Sequence, residues 1–549
     1  MATREEQPIL IVGAGVTGLT LGCVLARHGA RFRMIDKLPG IRPFARAIGL
    51  HSRTLEIFQD LGIVEALLDK AVKLKGFRQF AEGKCIQHLR YDDFDAPYPF
   101  HAVLEQWKTE SLLEEKLAEL GRSVEREAEL IAVEERLDGV RATLRLADGS
   151  TDIADTPWLI GCDGAHSTVR HLMRDRFPGQ TDLRQYVIAD VVVDQPYPRD
   201  EAHTYLSDDG ALVRAPLPEG RMLVFGDVKE SSAGDGAPPA LEELQALIDA
   251  RCPEPMEIRD PRWLSLFRVN YRLTPHYRHG RTFLAGDAAH IHSLIGGHGM
   301  NTGIQDAYNL GWKLALVSQG GAPESLLGSY EKERRDVATD VLAMTQTATE
   351  QIFSYSTVPP EERARRYADA HVPEAERVRT IRKREELDLD YRKSPICVEH
   401  RHSPDADGQP DSRLHAGAEA VDAGPLEVDG RRLTAFELIA GPQHTLLLFV
   451  GAEGRGRRAN AIGLAGEVTR VYSDLIRACI VLPADADAAA FADAPATIVR
   501  DVEGRMHERY GARAGRCYLI RPDGYVGWCS ERPSLIAFRD YLAKVLVCR

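Results

Sequence analysis

The stretch PILIVGAGVTGLTLGCVLARHGARFRMIDK, residues 8–37, has the order strand, glycine turn, helix and second strand. Its first apolar run, Ile9 to Val12, is typical of a buried parallel strand. Gly13, Gly15 and Gly18 follow with the GxGxxG spacing. The first glycine permits a tight turn, the second lets a pyrophosphate approach the backbone, and the third lets the helix pack on the strand. The pattern predicts a dinucleotide-binding unit of the Rossmann type.

Asp36 ends the second strand, which we predict over Arg31 to Ile35, and lies 18 residues after Gly18. A carboxylate at this place accepts hydrogen bonds from the ribose hydroxyls of an adenosine and disfavours a 2′-phosphate. An isolated GxGxxG is often only a structural turn, but here both strands and the acid accompany it. The stretch therefore favours FAD or NAD over NADP.

The whole chain has 549 residues, 44% of them hydrophobic, and a formal net charge of −13. It is long enough for two to four domains, and its scattered positive charges argue against nucleic acid as a partner. Nine cysteines occur without a CxxC pair, and no apolar run approaches the roughly 20 residues that cross a bilayer. We therefore expect reduced thiols, no membrane association and a cytoplasmic location.

Two later segments decide between FAD and NAD. The first is WLIGCDGAHSTVR, residues 158–170, and the second is RTFLAGDAAHIHSLIGGHGMNTGIQDAYNLGWKLALV, residues 281–317. The second predicts a strand over residues 282–285 that ends in Gly286-Asp287, then a glycine-rich loop and a helix that starts near Met300. An NAD-dependent dehydrogenase needs no such second site. FAD does, with its diphosphate at one helix, its ribityl hydroxyls on an aspartate and its ring beside another helix dipole.

These three motifs, in this order, resemble those of the group A flavoprotein monooxygenases, which include para-hydroxybenzoate hydroxylase, phenol hydroxylase and the aromatic polyketide hydroxylases. The resemblance covers roughly residues 8–395. It implies FAD as cofactor and NADPH or NADH as a transient co-substrate on the flavin domain. The cofactor-binding residues that it implies are Gly13, Gly15, Gly18, Asp36, Arg46, Gln106, Asp163, Asp287, Gly299, Met300 and Asn301.

Each later residue in that set has an implied role. Asp163 would serve both FAD and the nicotinamide, with Arg170 closing its cluster, and Asp287 would bind the ribityl chain. Backbone N–H groups of residues 299–301 would lie near the flavin ring. Arg46 and Gln106 match less specific family positions, and the alternatives are a solvated arginine and a helix-capping polar residue.

The substrate side is less defined. Many relatives have proline where Leu294 stands and glutamine where His298 stands, which changes the loop beside the substrate. Alternating patterns predict strands at residues 186–193, 203–206, 211–215 and 221–227, forming a sheet that would roof the flavin. The candidates for substrate contact on it are Tyr205, Leu212, Arg214 and Met222. Alternation does not decide which sheet face is inward, so ordinary core positions remain an alternative.

The predicted fold class is α/β: a Rossmann-type FAD-binding domain, an inserted antiparallel-sheet substrate domain and a C-terminal thioredoxin-like domain. The predicted bounds are residues 1–181 and 276–400 for the first, 182–275 for the second, 401–422 for a linker and 423–549 for the third. The third domain has a predicted strand at 445–450, a helix near 470–478, a strand at 479–482, a hairpin at 517–530 and a helix at 535–546. It lacks CxxC, so we expect no dithiol chemistry.

The predicted function is that of an FAD-dependent monooxygenase that hydroxylates a phenolic or polyketide-derived aromatic compound with NAD(P)H and O2, through a flavin C4a-hydroperoxide. Epoxidation, Baeyer–Villiger oxidation and simple reduction are the alternatives within related flavoproteins. The expected partners are a small aromatic substrate and O2, and a homodimer is left open. No metal is expected, because His290, His292 and His298 have no acidic or cysteine partner at a ligand spacing. No catalytic base is assigned.

Overall fold

A computed structural model describes residues 7–43, 47–91, 94–194, 197–228, 239–359, 361–363, 374–400, 414–451, 455–513, 515–532 and 534–547, without the side chains of 455–457. Its α-helices are Val16–Arg27, Ser52–Leu61, Val64–Leu68, Gln106–Glu119, Thr168–Leu172, Leu241–Arg251, His298–Ser318, Gly328–Phe353, Glu374–Arg384, Ala435–Ile439, Arg455–Val471, Arg505–Arg509 and Leu535–Val545. Over the described part of the chain, no helix has the length and apolarity that a membrane span requires.

A six-stranded sheet forms the centre of the first domain. All neighbouring pairs are parallel except the first in the order Arg278–His279, Thr282–Leu284, Leu159–Gly161, Ile9–Val12, Phe32–Asp36, Glu125–Arg126. The predicted strand at residues 9–12 is confirmed and is buried throughout. The carboxyl ends of three central strands carry the three sequence motifs, so the sheet brings the motifs to one edge.

The second large sheet has seven strands, in the order Ile258–Phe267, Gln185–Val193, Arg221–Val228, Gly210–Pro216, Glu201–Ser207, Gly76–Ala81, Lys84–Arg90. The four predicted strands are present and pair antiparallel in the central part of the sheet. Two strands come from residues 76–90, and the inner one pairs parallel with Glu201–Ser207. The sheet is therefore wider than the predicted bounds of 182–275.

Three small sheets complete the first half of the chain. Their strand orders are Thr151–Thr156, Val140–Arg145, Glu129–Glu135; Gly179–Thr181, Asn270–Leu273, His290–Ile291; and Gly49–Leu50, His101–Val103, Val72–Leu74.

The helix His298–Ser318, which we call the buried helix, runs through the core of the first domain. It crosses the helix Val16–Arg27 closely. A Cβ at Gly303 would come within 2.5 Å of Thr17 Oγ1, and one at Gly311 within 2.6 Å of Val24 Cγ1. Glycine is tolerated in these helix-interior positions because the two helices need the space. The crossing fixes the start of the buried helix relative to the first motif.

The C-terminal domain is built on an eight-stranded sheet in the order Val398–His400, Val526–Ser530, Cys517–Ile520, His444–Phe449, Ile476–Pro483, Thr497–Asp501, Leu426–Val428, Arg431–Leu433. The predicted strands, hairpin and last helix are present. The helix predicted near residues 470–478 is wrong: the helix is Arg455–Val471, and residues 476–478 begin a strand. Cys479 lies in that strand, whose branched apolar residues pair on both sides and overrule helix propensity.

The predicted domain boundary at residue 423 also differs from the structure. The strand Val398–His400 already belongs to the C-terminal sheet. Leu414, Ala416 and Ala420 are buried in the same core as its strands. Residues 401–413 of the predicted linker lie outside the described residues.

Buried charges connect the C-terminal domain to the first domain. Arg521, in the C-terminal hairpin, donates to Glu333 at 2.8 and 2.9 Å and also pairs with Asp523. Lys313, on the buried helix, donates to the same carboxylate of Glu333 at 2.7 Å. All four side chains are almost fully buried. Because separating the domains would leave these charges unpaired, the two domains are held as one unit.

Candidate active site

The first motif forms an open turn. Gly13 has φ of +100°, and a Cβ there would lie 2.4 Å from the carbonyl oxygen of Cys162, so no larger residue fits. At Gly15 a Cβ would meet only Glu110 Oε1, at 3.7 Å. A Cβ at Gly18 would lie 2.0 Å from Gly13 O, so the close contact between the helix and the strand requires glycine here. The turn thus leaves the start of the helix open at its second glycine, as a diphosphate requires.

Asp36 lies beside that turn. Its carboxylate accepts hydrogen bonds from Ala14 N at 2.7 Å and Leu38 N at 2.8 Å. These two bonds fix the carboxylate at the end of its strand. The position is compatible with the ribose contact that the sequence predicts.

Gln106 begins the helix Gln106–Glu119, and its backbone N donates to Ala47 O at 2.9 Å. Its side chain donates to Glu110 Oε1 at 2.8 Å. Burial raises the pKa of Glu110, which faces Gly15. Glu110 is a residue of this site that sequence reasoning missed, although its i+4 spacing from Gln106 could have indicated it.

Asp163 shapes the second motif. Its carboxylate accepts from Ser167 Oγ at 2.5 Å and from the backbone N atoms of Thr168 and Val169 at 2.6 and 3.1 Å. Burial raises the pKa of Asp163 despite these bonds. Both oxygens are thus engaged inside the loop, so the direct role of Asp163 toward a nicotinamide stays a prediction.

Arg170 ties the second motif to the third. Its guanidinium donates to Ala288 O and Ala165 O, both at 2.8 Å. Cys162, in the same motif, lies against Gly13 of the first. The three motifs, far apart in sequence, therefore form one continuous edge.

Asp287 is exposed, whereas its neighbours Gly286 and Ala288 are buried. The turn that carries it is held by Asp306 of the buried helix, whose Oδ2 accepts from Gly286 N at 3.0 Å. Such a turn presents one carboxylate outward from a rigid base. This fits a predicted ligand with hydroxyl groups, such as a ribityl chain.

Asp306 itself is fully buried and was not identified from the sequence. His290 Nε2 lies 2.8 Å from its Oδ2, and Arg334 Nε donates to its Oδ1 at 2.7 Å. Burial opposes the ionised form, but Arg334 and His290 outweigh it and lower the pKa of Asp306. The carboxylate therefore holds the third motif as an anion.

The buried helix begins at His298, after Gly297 with φ of +74° and no capping side chain. Its first-turn N–H groups, which include those of Gly299, Met300 and Asn301, have no partner four residues earlier in a helix. The Asn301 amide donates to Gly49 O at 2.9 Å and Gly297 O at 2.7 Å. The side chain of Asn301 is therefore structural, and the donors that remain for a ligand are backbone groups.

The four sequence-predicted substrate residues lie together, but on the face of the seven-stranded sheet that the helix Leu241–Arg251 covers. Tyr205, Leu212 and Met222 belong to one buried cluster with that helix. Arg214 donates to Tyr205 Oη at 3.0 Å and to Glu254 at 3.1 Å. The structure does not bring these residues to the face that carries the loop before the buried helix.

The opposite sheet face holds partly buried apolar side chains near that loop. Val213, Leu223, Trp263 and Phe267 pack around the same cluster as Ile295, which belongs to the loop. The register explains the difference, since neighbouring strand residues point to opposite faces. Sequence alternation identified the strands and left the face open.

Leu294 and His298, the two residues that depart from the family pattern, lie in different environments. The Leu294 side chain is 38% exposed, a large value for leucine in a loop beside the core. His298 is buried. Arg46 lies outside the described residues.

A group of acidic and imidazole side chains lies beneath the loop Gly296–Gly297. We call it the acid–imidazole cluster, and it consists of His51, His101, His298, Glu385 and Glu386, all buried. His298 Nδ1 lies 2.8 Å from Glu386 Oε1, and His51 Nδ1 lies 3.6 Å from the same oxygen. His51 Nε2 lies 2.9 Å from Gly296 O.

The second carboxylate of the cluster has its own partners. Glu385 accepts from Tyr91 Oη at 2.6 Å and Ser52 N at 2.9 Å, with His101 Nδ1 at 3.3 Å. The sequence prediction lacked these acids, because both glutamates are more than 80 residues from His298. Three groups of the cluster bring their N and O atoms within 4.8 Å of one another. We interpret the set as hydrogen-bonded, and the absence of a metal stays a prediction.

Comparison with known proteins places this arrangement in a family. The sequence model of the family described as FAD binding domain matches residues 6–345. The chain belongs to the FAD-dependent aromatic hydroxylases. It is 34% identical over 539 residues to 6-methylpretetramide 4-monooxygenase of Streptomyces rimosus, covering 95% of this chain and 91% of that protein. It is 30% identical over 530 residues to pentachlorophenol 4-monooxygenase of Sphingobium chlorophenolicum, covering 95% and 93%.

The fold of these hydroxylases also matches. The solved anhydrotetracycline hydroxylase from Streptomyces rimosus superposes with a TM-score of 0.74 at 28% identity, covering 98% of each chain. The protein is thus a flavoprotein monooxygenase with FAD as cofactor, and NAD(P)H is the co-substrate typical of the family. The predicted family, enzyme class and cofactors are confirmed. The open second glycine, the outward Asp287 and the uncapped buried helix fit FAD along one edge.

Proposed function

We propose that the protein hydroxylates an electron-rich, phenolic aromatic substrate with O2 and NAD(P)H. The observation that carries the proposal is the convergence of three motif segments on one sheet edge, opposite an apolar sheet face. Two relatives have names that state monooxygenation, one of 6-methylpretetramide and one of pentachlorophenol. The substrate of this chain belongs to that chemical range.

The residues that hold FAD are proposed from their placement. The turn at Gly13, Gly15 and Gly18 would receive the diphosphate and Asp36 the adenosine ribose. Asp287 would bind the ribityl chain. The first-turn N–H groups at residues 299–301 would face the ring, where the dipole of a 21-residue helix stabilises negative charge.

FAD supplies the chemistry of electron acceptance and oxygen activation when bound. The protein's part is to orient the aromatic ring, exclude water and stabilise charge. Helix N-terminal amides stabilise the charge of a reduced ring. The partly buried Val213, Leu223, Trp263 and Phe267, with Ile295, would hold the aromatic substrate against the loop that includes Leu294.

This substrate face replaces the four residues predicted from the sequence. Tyr205, Leu212, Arg214 and Met222 support the sheet from behind, through the buried hydrogen bonds of Arg214 and through helix packing. The apolar side chains of this face suit a flat apolar ligand. The face also carries a charged pair, because Asp190, to which Arg221 donates at 2.5 Å, is the cross-strand partner of Leu223 and Trp263. A base that would ionise a phenol is not assigned.

The C-terminal domain is proposed to be thioredoxin-like in fold and structural in role. A mixed central sheet with helices and no CxxC supports this proposal. Its described cysteines are not disulfide-bonded. Arg521 of this domain contacts Glu333, and Lys313 of the buried helix binds the same carboxylate. The domain would therefore stabilise the position of the buried helix.

Titration of the holoenzyme with phenols, naphthols and polycyclic aromatic polyketides, monitored by the flavin absorbance spectrum, tests the substrate class. A true substrate should perturb the spectrum, speed flavin reduction by NADPH or NADH and yield a hydroxylated product. Ligands that speed reduction but give only hydrogen peroxide would favour simple reduction. An epoxide product would favour epoxidation, and a product with an inserted ester oxygen would favour Baeyer–Villiger oxidation.

A further inference from the structure

The acid–imidazole cluster is more elaborate than helix packing requires. Glu386 is a non-glycine residue with φ of +59°, a conformation that side chains rarely adopt. It is also 3% exposed, so the chain buries a carboxylate on a strained backbone. Strain of this kind persists only where the surroundings enforce it, and it is common at functional sites.

The carboxylate of Glu386 is shared between two imidazoles. His298 Nδ1 lies 2.8 Å from Oε1 and His51 Nδ1 lies 3.6 Å from it. The two rings lie edge to face with centroids 4.6 Å apart. Gln305 donates to the other oxygen of Glu386. An imidazolium formed at His298 would therefore be paired at once, without rearrangement.

His298 is also the first residue of the buried helix, and its ring turns back to Gly296. A Cβ on Gly296 would lie 2.8 Å from His298 Nε2 and 2.7 Å from Cδ2. Nδ1 is engaged with Glu386, so Nε2 is the nitrogen that is left to take a proton. His298 Nε2, the nitrogen that can accept a proton, thus lies at the helix terminus that is proposed to face the flavin ring.

Other charged groups of the cluster act on His298 before any such proton arrives. The titratable or charged groups that face His298, directly or through one neighbour, are His51, His101, His290, His292, Arg384, Glu385 and Glu386. Burial works against a charged His51, but Glu386 and Glu385 outweigh it and raise the pKa of His51. Burial lowers the pKa values of His298 and His101 and, to about 3, that of His292.

The raised pKa of His51 and the Arg384 guanidinium favour positive charge on these two groups, opposite the two carboxylates. His298 is neutral in this state. Negative charge that is added nearby in a buried region acts strongly, since little solvent screens it.

We propose that His298, held by Glu386, takes up one proton when the flavin is reduced and so balances the negative charge of the reduced ring. The inference rests on the proposed position of the ring at the buried helix. A hydride from NAD(P)H carries two electrons and one proton to the flavin and leaves the ring with one negative charge, while the nicotinamide is oxidised. A second proton comes from solvent and binds His298 Nε2. It returns to solvent when the flavin is oxidised again.

The test is an anaerobic redox titration of the FAD-loaded protein against a reference dye, from about pH 5.5 to about pH 8.5. With two protons per two electrons, the ratio of reduced to oxidised flavin at fixed potential falls a hundredfold per pH unit, or about 59 mV. With one proton it falls tenfold, or about 30 mV. The reduced-flavin spectrum, recorded at each pH, reports whether the second proton is on the ring itself.

The wild type should show the two-proton slope with an anionic ring, over a window that begins below the ordinary histidine pKa of about 6.5 and extends upward. His298→Gln should show the one-proton slope throughout. His28→Gln removes an imidazole that is bonded to Val24 O at 2.8 Å, at the end of the helix Val16–Arg27, and should behave as the wild type. A one-proton slope in the wild type, or an unchanged slope in His298→Gln, would overturn the proposal.

Glu386→Gln provides the second variant if His298→Gln does not retain FAD. Without the carboxylate, the two-proton window should move to lower pH, and a window that stays in place would also overturn the proposal. These titrations use neither aromatic substrate nor O2. A protein that passes them but never hydroxylates a substrate would contradict the proposed function alone.

Discussion

At the scale of single residues, we propose that Asp287 contacts the cofactor. Its carboxylate faces outward from a turn whose flanking residues are buried. Glycine geometry at Gly13 and Gly18 shapes the other end of the same edge. Each of these residues acts through position, because the backbone around it is fixed by the sheet and by the buried helix.

We predict that Asp287→Asn weakens FAD binding by about 1 to 3 kcal/mol, the typical effect of losing a charged hydrogen-bond partner. Fluorescence titration of the apoprotein with FAD measures this. The matched control is Asp336→Asn, which removes an exposed carboxylate paired with Lys332 and should leave FAD affinity unchanged. Equal affinities of all three proteins would show that the strand-end aspartate does not bind FAD.

The ionisation of Asp306 predicts how the stability of the fold depends on pH. Its folded-state pKa is lowered by Arg334 and His290, against the effect of burial. A carboxyl of this kind stabilises the fold above its unfolded pKa of about 4 and loses that contribution as pH falls through its folded pKa. Asp306→Asn should therefore cost about 3 to 5 kcal/mol at neutral pH, as removal of one partner of a buried pair does.

Urea unfolding as a function of pH measures this difference. The difference in the free energy of unfolding between the wild type and Asp306→Asn should be constant above about pH 5 and should become smaller below about pH 4. A gap that widens in acid would contradict the assigned ionisation.

At the scale of elements, we propose that the seven-stranded sheet packs on a helix with one face and contacts the substrate with the other. Leu212 is fully buried against the helix Leu241–Arg251, whereas its neighbour Val213 and Leu223 on the adjacent strand are only partly buried on the other face. The strands could be predicted because alternation repeats every two residues. The face could not, because it depends on which helix and which loop cover the sheet.

Leu223→Ala and Leu212→Ala test this assignment as a pair. Leu223→Ala should weaken binding of an aromatic ligand several-fold, measured by the flavin spectrum. Leu212→Ala should cost about 2 to 5 kcal/mol of stability through the cavity it leaves, with ligand affinity of the folded protein within about twofold. The reverse pattern would return the substrate to the face that carries Tyr205 and Leu212.

The same distinction explains which parts of the site the sequence could predict. The motif glycines, Asp36 and Asp287 lie next to strands that can be predicted from the local sequence alone. Asp306 and Glu386 act on groups 16 to 335 residues away, and their partners are known only after the buried helix is placed. The helix predicted near residues 470–478 failed for a related reason, since the strand there is imposed by its two neighbours in the sheet.

At the scale of the whole molecule, the C-terminal domain acts as a support for the first domain. Arg521 reaches Glu333, and Lys313 of the buried helix shares that carboxylate. Coulombic attraction from Arg521 and Lys313 overcomes burial and holds the pKa of Glu333 well below its usual range. Domain docking and the position of the buried helix are therefore coupled.

We predict that the C-terminal thiols have no chemical role. Cys517 and Cys529 are buried, and burial raises both thiol pKa values, that of Cys529 to about 12. Changing both to Ser should leave turnover within about twofold, with a stability cost near 1 kcal/mol. Steady-state turnover and thermal unfolding of the FAD-loaded variant measure these effects. A collapse of turnover with normal flavin reduction would contradict the structural role.

The proposed function requires that oxygen from O2 enters an aromatic ring at the flavin site. Reaction of the FAD-loaded protein with NAD(P)H, a spectrum-perturbing phenol and 18O2, followed by mass spectrometry, tests it most directly. We expect one labelled hydroxyl per molecule of product, and little hydrogen peroxide while the substrate lasts. A hydroxylated product labelled only from water, or oxidation of NAD(P)H that converts all O2 to hydrogen peroxide with every ligand that accelerates flavin reduction, would contradict the account.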